Sequence, residues 1–316
     1  MTAEYRHTPV MLTECMEALQ LEDGKIVCDC TLGGAGHSME IARGISPHGL
    51  LIGIDQDDMA LSAAQARLAA CDLETEPILL KGNFGDLDSL LQQAEVPGID
   101  GVLFDLGISS PQVDFSQRGF SYHGNAPLDM RMDPGTQTIT AAEVLNTYSQ
   151  HDLTRIIQTY GQERWASRIA QFIVRARRKE PLERADQLVE LIKQAIPASA
   201  RRSGGHPARR TFQALRIEVN QEMEVLKKGL DAAVRWLNPG GRIAVLSYHS
   251  LEDSIVKDAF KRFSQGCTCP PDIPVCTCGN VPVLKLVTRK PQAPSTEEVE
   301  SNPRARSARL RVAQKL

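Results

Sequence analysis

Along its first third the chain alternates short apolar runs with longer amphipathic stretches. Ile26–Asp29, Leu50–Asp55, 78–80 and 102–105 are brief hydrophobic runs, the pattern of buried strands. Between them, 37–43, 59–70 and 87–94 carry the wider apolar spacing of helices. Strands alternating with helices predict a parallel, doubly wound α/β sheet. Such a sheet binds ligands at the carboxyl ends of its strands. Asp29, Asp55, Asp86 and Asp105 stand at or just beyond four of those ends.

The alternation then stops. A loop rich in Gly, Pro and Asp runs to Gly135, and the pattern is helical from Ala141 to Ala195. Residues 201–207 read as a mobile linker. Strand texture returns only at 241–247, after the turn Asn238-Pro239-Gly240. The pattern predicts an α/β domain, residues 1–112 and 215–316, interrupted by an all-helical substrate-recognition domain, 113–214. The polar, proline-punctuated stretch 291–303 reads as a mobile loop.

Bulk composition narrows the class only slightly. The 316 residues are 42% hydrophobic and 24% charged, ordinary values for a globular chain. No run approaches the roughly eighteen apolar residues of a membrane span. The N-terminus lacks the apolar core of a signal peptide, so a cytoplasmic location is expected. The net charge of −3 hides an asymmetry: between Arg155 and Arg216 there are 14 Lys and Arg against 5 Asp and Glu. A basic block in an acidic chain points to a polyanionic partner. Pairing of Arg209, Arg210 and Arg216 with Glu218 or Glu222 is the structural alternative.

The chemistry is concentrated after the first strand, in Asp29-Cys30-Thr31-Leu32-Gly33-Gly34-Ala35-Gly36-His37-Ser38. Glycines let a backbone approach a ligand closely, and the next helix offers its free N–H groups. The turn holds no Lys or Arg, which excludes a Walker phosphate loop. Met39 stands where a dinucleotide fingerprint needs its third glycine. Asp55 sits where an acidic side chain can accept ribose hydroxyls. S-adenosylmethionine, which has a ribose, no phosphate and a positive sulfonium, fits this turn best. Farther on, Ser110-Pro111-Gln112 is a partial relative of the motif of amino methyltransferases, lacking its second Pro and its aromatic residue.

Eight cysteines do not suggest a disulfide framework. Cys28, Cys30 and Cys71 read as core fillers or neighbours of the cofactor loop. Cys267, Cys269, Cys276 and Cys278 are close enough in sequence to hold tetrahedral zinc. The Cys-x-Cys spacing is less typical of zinc than Cys-x-x-Cys, so a thiol-bearing loop without metal is the expectation.

Longer motifs carry a resemblance. They include His7-Thr8-Pro9-Val10-Met11-Leu12, Asp105-Leu106-Gly107-Ile108-Ser109-Ser110-Pro111-Gln112, Arg118-Gly119-Phe120-Ser121 and Pro127-Leu128-Asp129-Met130-Arg131-Met132-Asp133. Tyr160-Gly161-Gln162-Glu163-Arg164, Pro207-Ala208-Arg209-Arg210-Thr211-Phe212, Ser247-Tyr248-His249-Ser250-Leu251-Glu252-Asp253 and Asn302-Pro303-Arg304-Ala305-Arg306-Ser307 continue it in order. Over nearly its whole length the chain resembles the MraW family, the bacterial 16S ribosomal RNA cytosine-N4 methyltransferases H.

The resemblance implies a Rossmann-like class I methyltransferase domain with a helical insertion. It implies S-adenosylmethionine as cofactor, contacted by Ala35, Gly36, His37, Asp55, Phe84, Asp105 and Gln112. Its implied partner is 16S rRNA, in the small ribosomal subunit or an assembly intermediate, methylated at a decoding-centre cytidine. Arg201, Arg202, Arg209 and Arg210 are the candidate RNA contacts. No proton acceptor is assigned: Asp105, Ser109, Ser110 and His249 are candidates. A non-catalytic RNA-binding assembly factor and a DNA amino methyltransferase are the alternative functions.

Overall fold

Strand β1, Ile26–Asp29, is short and buried from its second residue onward. The computed structural model describes residues 9–71, 73–74, 76–109, 112, 116–201, 205–267, 269 and 277–316. It divides into two compact units, one formed by 1–107 with 223–316 and the other by 108–222.

The first unit is built on a seven-stranded sheet. Its strands are β1, β2 (Leu50–Asp55), β3 (Ile78–Lys81), β4 (Ile99–Asp105), β5 (Leu237–Ser247), β6 (Leu284–Leu286) and β7 (Arg309–Lys315). The order across the sheet is β3-β2-β1-β4-β5-β7-β6. β1 pairs in parallel with both β2 and β4, and β4 pairs in parallel with β5. β7 runs antiparallel to both β5 and β6. The chain winds outward from β1 to β3, then returns to the other side of β1 as β4. The crevice where the winding reverses lies beyond the ends of β1 and β4, where doubly wound sheets take their ligands.

Alternation along the strands sends side chains to opposite faces. Val102 and Phe104 of β4, with Ile243 and Val245 of β5, join one apolar cluster; Leu103, Ala244 and Leu246 join another. The first cluster is covered by α4 (Leu87–Gln93), α10 (Glu222–Trp236) and α11 (Ser250–Ser264) through Leu91, Leu230 and Phe260. The second is covered by α1 (Leu12–Leu19), α2 (Gly36–Ile45) and α3 (Asp58–Ala69) through Cys15, Ile41 and Leu68. A sheet buried on both faces explains why its central strands read as continuous apolar runs.

The C-terminal region corrects the sequence expectation. Within 291–303 lies a helix, α12 (Thr296–Ser301), whose N-cap Ser295 accepts from Glu298 N. The Glu298 carboxylate accepts a 2.6 Å hydrogen bond from the Met11 amide, tying this segment to the start of α1. β7 buries Leu310 and Val312, and its buried Arg311 pairs with Asp253 of α11 at 2.7 and 3.0 Å.

The second unit is helical: α5 (Ala141–Thr147), α6 (Gln150–Thr159), α7 (Ala166–Arg177), α8 (Ala185–Ala195) and α9 (Arg209–Asn220). Its own core gathers Leu145, Leu153, Ile157, Ile169, Leu188, Ile192 and Phe212. Position 215, set as a boundary from sequence, falls inside α9, and the unit extends to Glu222. Buried Asn220 closes the unit. Its Nδ2 donates to Met130 O and Arg216 O, both at 2.8 Å, and its Oδ1 accepts from Met132 N at 2.9 Å. Asn220→Ala leaves buried backbone groups unsatisfied and is expected to cost about 2–4 kcal/mol. Urea unfolding read by a probe in this unit checks it; a loss under about 1 kcal/mol contradicts the assignment.

Candidate functional site

The turn after β1 is held by carboxylates rather than by glycine alone. Asp29, 1% exposed, accepts from Thr31 N at 3.1 Å and from Ser38 Oγ at 2.6 Å. One strand over, Asp55 Oδ2 accepts from Gly33 N at 2.8 Å, and its Oδ1 accepts from Asp57 N at 2.9 Å. Gly33 and Ala35 both lie in the left-handed region, at φ 48° and 58°. That conformation is costly for Ala, and Ala35 is fully buried at the N-cap of α2. Gly36 has no room for a side chain, because a Cβ there would meet Pro9 Cγ at 2.6 Å.

Asp105 ends β4 in the same crevice. Its amide donates to Thr31 Oγ1 at 2.7 Å, and its Oδ1 accepts from Tyr248 Oη at 2.6 Å. His37 Nδ1 lies 3.6 Å from Asp105 Oδ2, while His37 Nε2 donates to Val10 O at 2.9 Å. The Asp105 side chain keeps 22% of its surface exposed, so a ligand can reach it. Burial nevertheless raises its pKa, against the lowering effects of His37 and the Tyr248 hydroxyl. Burial also pushes Asp55 up to about 6, although two backbone amides donate to it. Among the described residues neither carboxylate is paired with Lys or Arg. Arg67 donates to Gly34 O of the turn at 2.9 Å.

Phe84 stands after β3, at the start of the 3-10 turn Phe84–Asp86. Its ring meets Phe104 edge to face, with centroids 5.4 Å apart. Gly229 of α10 lets it in, since a Cβ there would lie 2.8 Å from Phe84 Cδ2. Ala35, Gly36, His37, Asp55, Phe84 and Asp105 therefore belong to one unit and lie at or just after the ends of β1, β2, β3 and β4. Gln112 belongs to the second unit, where its Oε1 accepts from Ser109 N at 3.1 Å.

The proton-acceptor candidates fare differently. His249 is the N-cap of α11: its Nδ1 accepts from Glu252 N at 3.3 Å, and its Nε2 lies 3.0 Å from Glu252 Oε1. Glu252 Oε2 in turn accepts from the amides of Tyr248 and His249. Capping thus occupies Nδ1, while the buried Nε2 lies near the Glu252 carboxylate without a hydrogen bond. Tyr248 was not foreseen, although its place one residue past a strand end was the available signal. Ser110, Pro111, Arg202 and Cys276 lie outside the described residues. Arg201 and Arg209 are exposed. Arg210 is exposed and lies 4.0 Å from Glu163. Arg216 forms a two-pronged pair with Glu222, both contacts at 2.7 Å.

A phosphate-bearing nucleotide would bring more negative charge to these unpaired carboxylates and find no cation in the turn. A nucleoside with hydroxyls for Asp55 and a positive centre beside Asp105 would relieve both. β7, antiparallel between β5 and β6, completes a Rossmann-like α/β sheet, and the residues at its strand ends fit S-adenosylmethionine. Residues 4–316 match the MraW methylase family, and the chain belongs to it.

Its relatives include proteins named "Ribosomal RNA small subunit methyltransferase H". The one from Symbiobacterium thermophilum is 55% identical over 99% of this chain and 97% of its own length. Those from Brevibacillus brevis and Halothermothrix orenii are each 50% identical, over 100% and 98% of this chain and 99% and 98% of their own.

The raised Asp55 fixes a sign. Its folded value of about 6 exceeds the unfolded value of about 3.9. The folded chain therefore holds a proton that the unfolded chain has released. The stability this gives is complete below about pH 4 and is lost as pH rises through about 6. In Asp55→Asn that loss is absent. The stability of the variant relative to the parent should climb by about 1–3 kcal/mol from pH 4 to pH 7. Denaturant midpoints across that range check it, and parallel curves would contradict it.

Proposed function

We propose that this protein transfers the methyl group of S-adenosylmethionine to the exocyclic N4 of a decoding-centre cytidine in 16S rRNA. The observation that carries the reading is the whole-length match to relatives named for methylation of small-subunit ribosomal RNA. When bound, S-adenosylmethionine supplies an electrophilic methyl on a sulfonium.

The residues of the first unit fit that group. Asp55 keeps lone pairs beyond its two amide contacts and would accept from the ribose hydroxyls. Asp105 would lie beside the positive end, and the Phe84 ring beside the adenine. The backbone of Ala35, Gly36 and His37 would line the turn, with Gln112 completing the set. Methyl transfer is an in-line displacement, so fixing donor and acceptor supplies much of the rate.

Cytosine N4 is a poor nucleophile because its lone pair is conjugated with the ring. An acceptor at N4–H favours the pyramidal form and takes the proton afterwards. Asp105 and the Ser109 and Ser110 hydroxyls remain candidates for it. His249 is a further candidate, through Nε2 only, because its Nδ1 is engaged in capping α11.

The target base must leave its stack to reach the methyl group. In the second unit Tyr122 stacks on His206, with centroids 4.5 Å apart and planes 10° from parallel. Lys193 and Asn125 line the same concave surface. The same surface carries Asp186 and Glu190, so stacking rather than charge is what it would offer an unstacked RNA base. Arg201, Arg202, Arg209 and Arg210 would hold flanking phosphates. The substrate is the small subunit or an assembly intermediate.

The deciding experiment incubates the protein with labelled S-adenosylmethionine and 16S rRNA, small subunits or DNA, then digests the product to nucleosides. N4-methylcytidine from the rRNA substrates is expected. Label in DNA, or in no substrate, would overturn the reading in favour of a DNA enzyme or a binding factor. Neutralising Arg201 with Arg202, or Arg209 with Arg210, should weaken RNA binding. It should also flatten the log–log salt dependence by about 0.7–0.9 per lost phosphate contact. An unchanged slope removes the pair from the interface.

A further inference from the structure

The chain between α11 and β6 carries a sulfur cluster for which methyl transfer has no use. Cys267, Cys269 and Cys278 place their Sγ atoms within 4.8 Å of one another. We propose that these three thiolates bind a zinc ion that staples this loop, a role independent of the catalytic reading.

Spacing is the first argument. Cys278 Sγ lies 3.8 Å from Cys267 Sγ. A tetrahedral zinc with Zn–S bonds of about 2.3 Å sets its sulfurs about 3.8 Å apart. A disulfide would bring them to about 2.05 Å. The separation fits two ligands sharing one ion and is too long for a disulfide.

Backbone donors are the second argument. The Thr277 amide donates to Cys269 Sγ, and the Asn280 amide to Cys278 Sγ, each at 3.4 Å. Such donors favour the thiolate, the form that binds metal. They also act as the outer shell that orients metal ligands.

The loop is closed behind the sulfurs. Asn280 Nδ2 donates to the carbonyls of Gln265 and Gly266 at 3.0 and 2.8 Å. This fixes the two Cys-bearing arms against each other without the metal. Among the described residues the cluster contains no carboxylate, and a sulfur donor set selects zinc over magnesium or calcium. The Cys-x-Cys spacing that argued against a metal in sequence loses its force, because the ligands are gathered by the fold of the loop.

The test uses the full chain, expressed with zinc and purified under reductant without chelator. Elemental analysis should find about one zinc per chain. Chelator-stripped protein should take zinc up again, and cobalt in its place should give the intense sulfur-to-cobalt absorption of a tetrahedral thiolate site. In Cys267→Ser/Cys278→Ser the stoichiometry should fall at least fivefold and the cobalt band should vanish, with far-ultraviolet circular dichroism reporting that the variant has folded. Protein that neither retains zinc nor takes it up under reductant overturns the proposal. So does zinc that survives the double substitution, or a Cys267–Cys278 disulfide in freshly isolated protein.

Discussion

Two backbone amides, those of Gly33 and Asp57, point at one carboxylate at the end of β2. The rest of the site depends on this arrangement. The Asp55 bonds tie the turn after β1 to the neighbouring strand, and Asp29 and Thr31 tie the same turn to α2 and β4. The turn can then keep Ala35 in a left-handed conformation that an unsupported chain would relax. Burying Asp55 this way raises its pKa, which is a cost in the free protein. A ligand that donates hydrogen bonds to the same oxygens would recover part of that cost. On the proposed reading, the ribose hydroxyls of the cofactor would be that ligand.

Asp105 follows the same logic with different neighbours. Burial raises its pKa, while the Tyr248 hydroxyl and His37 limit the rise. Burial and the same carboxylate push the Tyr248 phenol well above its ordinary range, so it stays protonated as the donor. Those two contacts orient the carboxylate. In the crevice an interaction with a positive group is stronger than it would be in water.

The central sheet was legible because its strands are buried on both faces and bounded by turns. The Gly-rich turn and Asp55 could be placed for the same reason. Other elements were masked by their own physics. β7 alternates Leu310, Val312 and Ala313 with Arg309, Arg311 and Gln314, and those polar residues disguised it as a tail. Arg311 is buried only because Asp253, far away in sequence, meets it. The helix α12 is short and carries no buried residue, so it has no amphipathic signature. What holds it is one bond from Glu298 to Met11, a contact between opposite ends of the chain. His249 illustrates the opposite failure: its residue type advertised chemistry, and its local geometry is that of a helix cap.

The distribution of charge between the two units suits the proposed methyl transfer to RNA. A site that receives a sulfonium needs unpaired carboxylates, and the same carboxylates would repel an RNA backbone. Phosphates are better met by Arg and Lys, which beside Asp55 or Asp105 would form ion pairs. One compact core cannot easily present both surfaces at close range, because opposite charges at short distance neutralise each other. The basic excess between Arg155 and Arg216 falls in the helical unit, which has its own apolar core. The acidic strand ends fall in the sheet unit. Arg216 marks what happens where the two signs do meet: its Nε and Nη2 are both taken up by the Glu222 carboxylate.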